Sequence, residues 1–168
     1  MNPFYQKYLD QVQNMEIEAA LVSGRDALLA FFEVLPPEKI NFRYAPGKWT
    51  VKEVFGHIID TERVFAYRAL RFARGDKTEL PGFDQEAYVP EMNLEHRTLG
   101  DMLVEYQMLR ESSLYLFRSF SPAIVEKVGT ASGTEFTVKQ QGLILAGHER
   151  HHLQILQERY LANPVKPV

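Results

Sequence analysis

An all-helical fold, a four-helix bundle, is predicted by three observations on the 168-residue chain. Apolar residues recur at helical spacing in four long segments, threonine start signals precede three of them, and no run alternates long enough for a strand. Each segment of 20–25 residues makes a rod of about 30–38 Å.

The first rod is read from Met15, Leu21, Ala27, Leu28, Phe31, Phe32 and Leu35, at spacings of three, four and seven. Pro36-Pro37 stops it, because proline has no amide donor and clashes with the preceding turn. A shorter helix is expected before it, near Phe4 to Val12, with Pro3 acceptable in its first turn. Three later rods start at Thr50-Val51-Lys52-Glu53, Thr98-Leu99-Gly100-Asp101 and Thr137-Val138-Lys139-Gln140. Each places a threonine three residues before an acid or amide, the pattern of a capping box, with Asp101 the shortest partner. Gly75, Pro122 and Asn163-Pro164 mark their ends. Glu135-Phe136-Thr137-Val138 is too short for a strand and runs into a cap. The connection over 76–97 is longer than the 2–8 residues typical of a simple bundle. Extended, it spans about 70 Å, so the rods on either side of it can run parallel. A single domain over 1–168 is expected.

Composition narrows the function. The chain is 45% hydrophobic and 24% charged, which excludes a disordered polymer. It contains no cysteine, so disulfides, thiolate metal sites and a cysteine nucleophile are excluded. Nineteen basic against 22 acidic residues give a net charge of −3, which argues against a nucleic-acid partner. No apolar stretch approaches the ~20 residues of a membrane span. Met1 to Lys7 lacks a secretory profile, so a cytoplasmic location is expected.

Five histidines are present. His148 and His152 stand four apart on one helix face, about 6 Å from each other, where two imidazoles can reach one ion. His57 lies two turns past the Thr50 cap, on a stripe with Val54, Ile58, Thr61 and Phe65. Two ligands from one helix and one from a facing helix leave a coordination position open, the arrangement of catalytic sites. His151 points off that face and His96 sits in a polar loop. Asp60, one turn beyond His57, is a candidate acceptor for a histidine's second ring proton.

His148-Glu149-Arg150-His151-His152 also matches H-E-x-x-H, in which Glu149 would be the general base of a metalloprotease. The longer extension of that motif fails at Ile155 and Glu158, and residues 153–168 leave little room for a helix bearing another ligand. Glu149 therefore reads mainly as an exposed helix residue, and as a tentative catalytic base. A di-iron site would need a second Glu-x-x-His pair, but Val54 occupies the glutamate position before His57.

Pro46-Gly47-Lys48-Trp49-Thr50-Val51-Lys52-Glu53, continued by Gly56-His57-Ile58-Ile59-Asp60-Thr61-Glu62-Arg63, resembles the DinB/YfiT-like family. So do Pro81 to Val89, and Ala146 to Leu153 with Glu158-Arg159-Tyr160-Leu161. The resemblance implies a bundle in up-down-down-up order and a divalent metal, zinc or nickel, held by His57, His148 and His152. It also implies metal-dependent hydrolysis, or transfer and isomerisation reactions that use small thiols.

A hydrolase acting on a small-molecule substrate through a metal-activated water is the first expectation. A small-molecule-thiol-dependent S-transferase is the second; lacking cysteine, the chain would import its sulfur. Arg63, Arg68, Arg71 and Arg150 are available cations for an acidic cosubstrate. A non-catalytic bundle stabilised by its metal, or a dimerisation module, is the third. Trp49, Phe55, Phe65 and Tyr67 can furnish a homodimer interface.

Overall fold

The computed structural model describes residues 2–161. Helices α1 (Pro3–Asp10) and α2 (Ile17–Glu33) are followed by α3 (Val51–Ala73), α4 (Gln85–Glu91), α5 (Leu99–Arg118), the short α6 (Pro122–Val125) and α7 (Val138–Ile155). A π-helical turn, Leu156–Leu161, continues α7. The expected stop at Asn163-Pro164 lies outside the described residues. No helix among the described residues is long and apolar enough to cross a membrane.

All three threonine caps form. The Thr50 hydroxyl accepts from the Glu53 amide at 3.0 Å, and the Glu53 carboxylate accepts from the Thr50 amide at 2.6 Å. Thr137 and Gln140 repeat this reciprocal pair. At Thr98 the hydroxyl accepts from the Asp101 amide, but it also donates to Asp101 Oδ2 at 2.8 Å. Aspartate, one methylene shorter than glutamate, bonds the capping hydroxyl itself.

Contacts along the rods fix their directions. His57, near the start of α3, meets His148 and His152, near the end of α7, so these two are antiparallel. Glu18 against Arg118 and Arg25 against Glu111 make α2 and α5 antiparallel. Lys52 Nζ donates to the carbonyls of Leu94 and Arg97, which brings the start of α5 beside the start of α3 and makes them parallel. The order is up-down-down-up, with the long connection returning the chain to the end of the bundle it left.

One expectation about local structure is corrected. Val128–Ala131 and Thr134–Thr137 pair as antiparallel strands β1 and β2. Ser132 and Gly133 carry φ of 52° and 69°, as a two-residue hairpin turn of the primed type demands. The strand therefore ends on the very residue that caps α7. Leu80 bridges to the hairpin, with its amide on Thr130 O and its carbonyl accepting from Ser132 N, both at 3.0 Å. This ties the crossover to the bundle.

The core is in two apolar halves. One gathers Leu21, Phe65, Phe72, Leu114, Phe136 and Ile144; the other gathers Leu28, Phe55, Ile59, Met102, Leu153 and Leu156. Between them each rod contributes one position to a polar layer: Gly24, Glu62, Arg110 and Glu149. Arg110 is fully buried and forms ion pairs with Glu62 at 2.8 Å and Glu149 at 2.5 Å. Its Nη1 also donates to Leu21 O at 2.7 Å, and Tyr106 donates to Glu149 Oε2 at 2.6 Å. A Cβ at Gly24 would stand 2.3 Å from Glu149 Oε1, so the layer needs glycine there.

Candidate metal centre

Antiparallel packing of α3 on α7 sets His57 opposite a pair one helical turn apart. The Nε2 atoms of His57 and His148 approach to 2.9 Å. One nitrogen from each of His57, His148 and His152 lies within 4.8 Å of the others. The ring centroids are 4.4–4.9 Å apart. His57 and His148 are buried, and His152 is half-buried.

Burial keeps these rings neutral. It pushes the His57 pKa down to about 4. It also drives His148 and His152 well below the usual imidazole value, with their mutual repulsion adding to the effect. Neutral imidazole is the ligating form, and three imidazoles are a donor set that divalent zinc or nickel accepts. Zinc–imidazole bonds of about 2.0–2.1 Å put such nitrogens within the mutual distances seen here. Thr61 Oγ1 lies 3.5 Å from His57 Nδ1 and Trp49 packs 5.0 Å from the ring, which fixes its orientation. His148 Nδ1 is buried and has no hydrogen-bond partner among the described residues.

The centre stands between two cavities. One of about 470 Å³ is lined by His57 and His148 with Tyr5, Tyr8, Thr61, Phe65 and Phe83. The other, of about 290 Å³, is lined by His152, Trp49, Val54 and Tyr160. Gln85 and Glu86 border both. The roof is α1, whose Tyr8 ring lies 5.3 Å from that of His148. A Cβ at residue 147 would stand 1.9 Å from Tyr8 O, so Gly147 is what lets α1 lie against α7.

Other sequence candidates fall elsewhere. Glu149 is buried rather than exposed, and its carboxylate accepts from Arg110 and Tyr106 in the polar layer. Burial pushes its pKa up, with Arg110 countering in part. Both oxygens are engaged, so it is not a free base beside the imidazoles. Asp60 faces Arg63 at 3.4 Å rather than a histidine. His151 packs 5.6 Å from Tyr8, and His96 is exposed on a 3₁₀ turn. Of the four arginines, Arg63 pairs with Asp60 and Glu105, Arg71 with Asp76, and Arg150 with the Ser23 hydroxyl. Only Arg68 among them lines the larger cavity. Around the imidazoles, Thr61 is marked in the sequence by its place four residues after His57 on the same stripe and Trp49 by the Pro46–Glu53 motif, whereas Tyr8 carries no such mark.

Comparison with known proteins agrees with this architecture. A curated protein of Oceanobacillus iheyensis, provisionally named a metal-dependent hydrolase, is 28% identical over 123 residues, covering 71% of this chain and 69% of that protein. YfiT from Bacillus subtilis, described with the same reserve as a metal-dependent hydrolase with an unusual four-helix bundle topology, superposes with a TM-score of 0.67 at 17% identity. That alignment covers 94% of this chain and 86% of YfiT. The DinB-like protein YjoA of B. subtilis superposes with a TM-score of 0.61 at 16% identity, over 90% of this chain and 96% of YjoA. The sequence pattern of the DinB superfamily matches residues 20–156, which take in all three converging histidines and all four rods but for the first three residues of α2, and the chain belongs to that superfamily.

Proposed function

We propose that this protein is a metal-dependent hydrolase in which His57, His148 and His152 hold one divalent cation, zinc or nickel, in the wall of the larger cavity. The observation that carries the reading is the convergence of three neutral, largely buried imidazoles from two antiparallel rods at a cavity of substrate size. The names of the Oceanobacillus relative and of YfiT support hydrolysis as the reaction class.

When bound, a cation would supply a Lewis acid and lower the pKa of a coordinated water toward neutrality. The chain's own residues do the rest. Thr61 and Trp49 hold the His57 ring so that Nε2 faces its partners. Tyr8, Phe65 and Phe83 line the cavity with aromatic surface, which lowers the local dielectric and strengthens electrostatic interactions there. Glu149 serves the polar layer behind the site, not proton transfer within it.

The reading is tested by elemental analysis of the purified protein and of His57→Ala, beside assays of ester and amide cleavage and of thiol conjugation. One equivalent of metal in the wild type, lost together with cleavage in the variant, is expected. Stoichiometric metal in His57→Ala sinks the ligand set. Thiol conjugation without cleavage replaces hydrolase with S-transferase, and chelation that unfolds a protein with neither activity leaves a structural metal.

A further inference from the structure

We infer that the larger cavity binds the carboxylate of its substrate on Arg68, at the end remote from the imidazoles. The inference names the substrate class and rests on the hydrolase reading for the reactive end alone.

His57, Thr61, Phe65 and Arg68 are spaced four, four and three residues apart on α3, and all four line this cavity. Its two polar ends are eleven residues apart, about 16 Å between Cα atoms on a helix. Between them the lining is largely aromatic, from Phe4, Phe65 and Phe83. Arg68 is only 2% exposed, yet its side chain borders the cavity. Its Nη2 donates to Pro81 O at 2.9 Å and Ser132 Oγ at 3.1 Å, and the Tyr5 phenol lies beside it. The rings of Phe65 and Phe83 stand 5.2 and 6.0 Å from the guanidinium carbon. None of these partners carries a charge. No carboxylate among the described residues comes within ion-pairing distance, whereas Arg110, equally buried, has two.

A buried cation without a counter-ion is costly, and an anion entering the cavity relieves that cost. Burial holds the guanidinium below its usual pKa, with Tyr5 opposing, but an arginine side chain stays charged. With Nη2 spent on Pro81 and Ser132, the N–H groups of Nε and Nη1 are the donors left for a carboxylate. Asp84 and Glu86 border the same cavity. Asp84 is committed to capping α4, accepting from the Glu86 and Ala87 amides, and Glu86 is exposed. Their charge at the rim disfavours a dianion such as phosphate.

The test titrates phenylacetate, its neutral isostere phenylacetamide, and inorganic phosphate into the protein as purified and after chelation, by calorimetry. Phenylacetate is expected to bind at least tenfold more tightly than phenylacetamide in both samples. Arg68→Met should abolish the preference with metal content unchanged, and Arg68→Lys should keep part of it. Equal binding of the two by the wild type overturns the inference even if Arg68→Met does not fold. So does a preference that survives in Arg68→Met, one that disappears on chelation, or tighter binding of phosphate. Metal and cleavage are measured on the same samples. Their absence with the preference intact sinks the hydrolase reading alone, and their presence without the preference sinks the Arg68 site alone.

Discussion

His148 and Glu149 are neighbours on α7, but they belong to two buried polar centres of opposite character. On the Glu149 side, Arg110 is saturated by two carboxylates and a carbonyl, and Tyr106 closes the network. On the His148 side the groups are neutral, one ring nitrogen has no partner among the described residues, and a cavity adjoins. A saturated charge network resists change and fixes register between four rods. An unsaturated neutral cluster has capacity left for a ligand. The contrast teaches that burial of polar residues does not by itself mark a reactive site; spare bonding capacity does.

The largest effect expected from the contrast is on stability. Arg110→Ala leaves Glu62 and Glu149 buried without a cation and should cost about 3–5 kcal/mol in urea unfolding. A loss below about 1 kcal/mol would erase the distinction between the two centres.

Next comes acidity. The His57 imidazole stays neutral in the folded state down to about pH 4, whereas an unfolded one takes up its proton near 6.5. Stability of the metal-free protein is therefore full above pH 6.5 and should decline by about 3 kcal/mol as pH falls toward 4, followed by thermal melts. A flat profile over that window would mean the ring is solvated.

Glu149→Gln sharpens the division further. It should lower unfolding free energy by about 2 kcal/mol, the worth of a charged hydrogen bond, while metal content stays at the wild-type value. Metal loss in this variant would join the two centres into one. The smallest effect belongs to the caps: Thr98→Ala should cost about 1 kcal/mol, and Thr50→Ala somewhat more because a reciprocal pair is lost.

What could be read from the amino-acid order follows the range of the interactions. Thr50, Thr98 and Thr137 announce their helices because the capping partners lie three residues on, and His148 and His152 share a face by spacing alone. The long 76–97 segment likewise revealed the parallel pair. Local pattern misplaces Glu149 on the surface because its partner Arg110 is 39 residues away, and Arg110 in turn is 48 from Glu62. Nothing local to Glu149 distinguishes it from a solvated helix glutamate. The β1–β2 hairpin escaped because its strands have four residues each and β2 runs directly into a cap. Ser132-Gly133 was the only local sign. Arg68 could be named among four arginines, but only the fold separates it from the three that are paired at the surface or across helices.

Much of the wall of the larger cavity comes from parts of the chain that carry none of its imidazoles. The histidines sit on long rods, whereas Phe4, Tyr5 and Tyr8 come from α1, Phe83 from the crossover and Ser132 from the hairpin turn. Those three pieces lie outside the four-rod frame. Selection or engineering can thus exchange them piecemeal, altering which molecules are admitted while the scaffold and its chemistry are inherited intact.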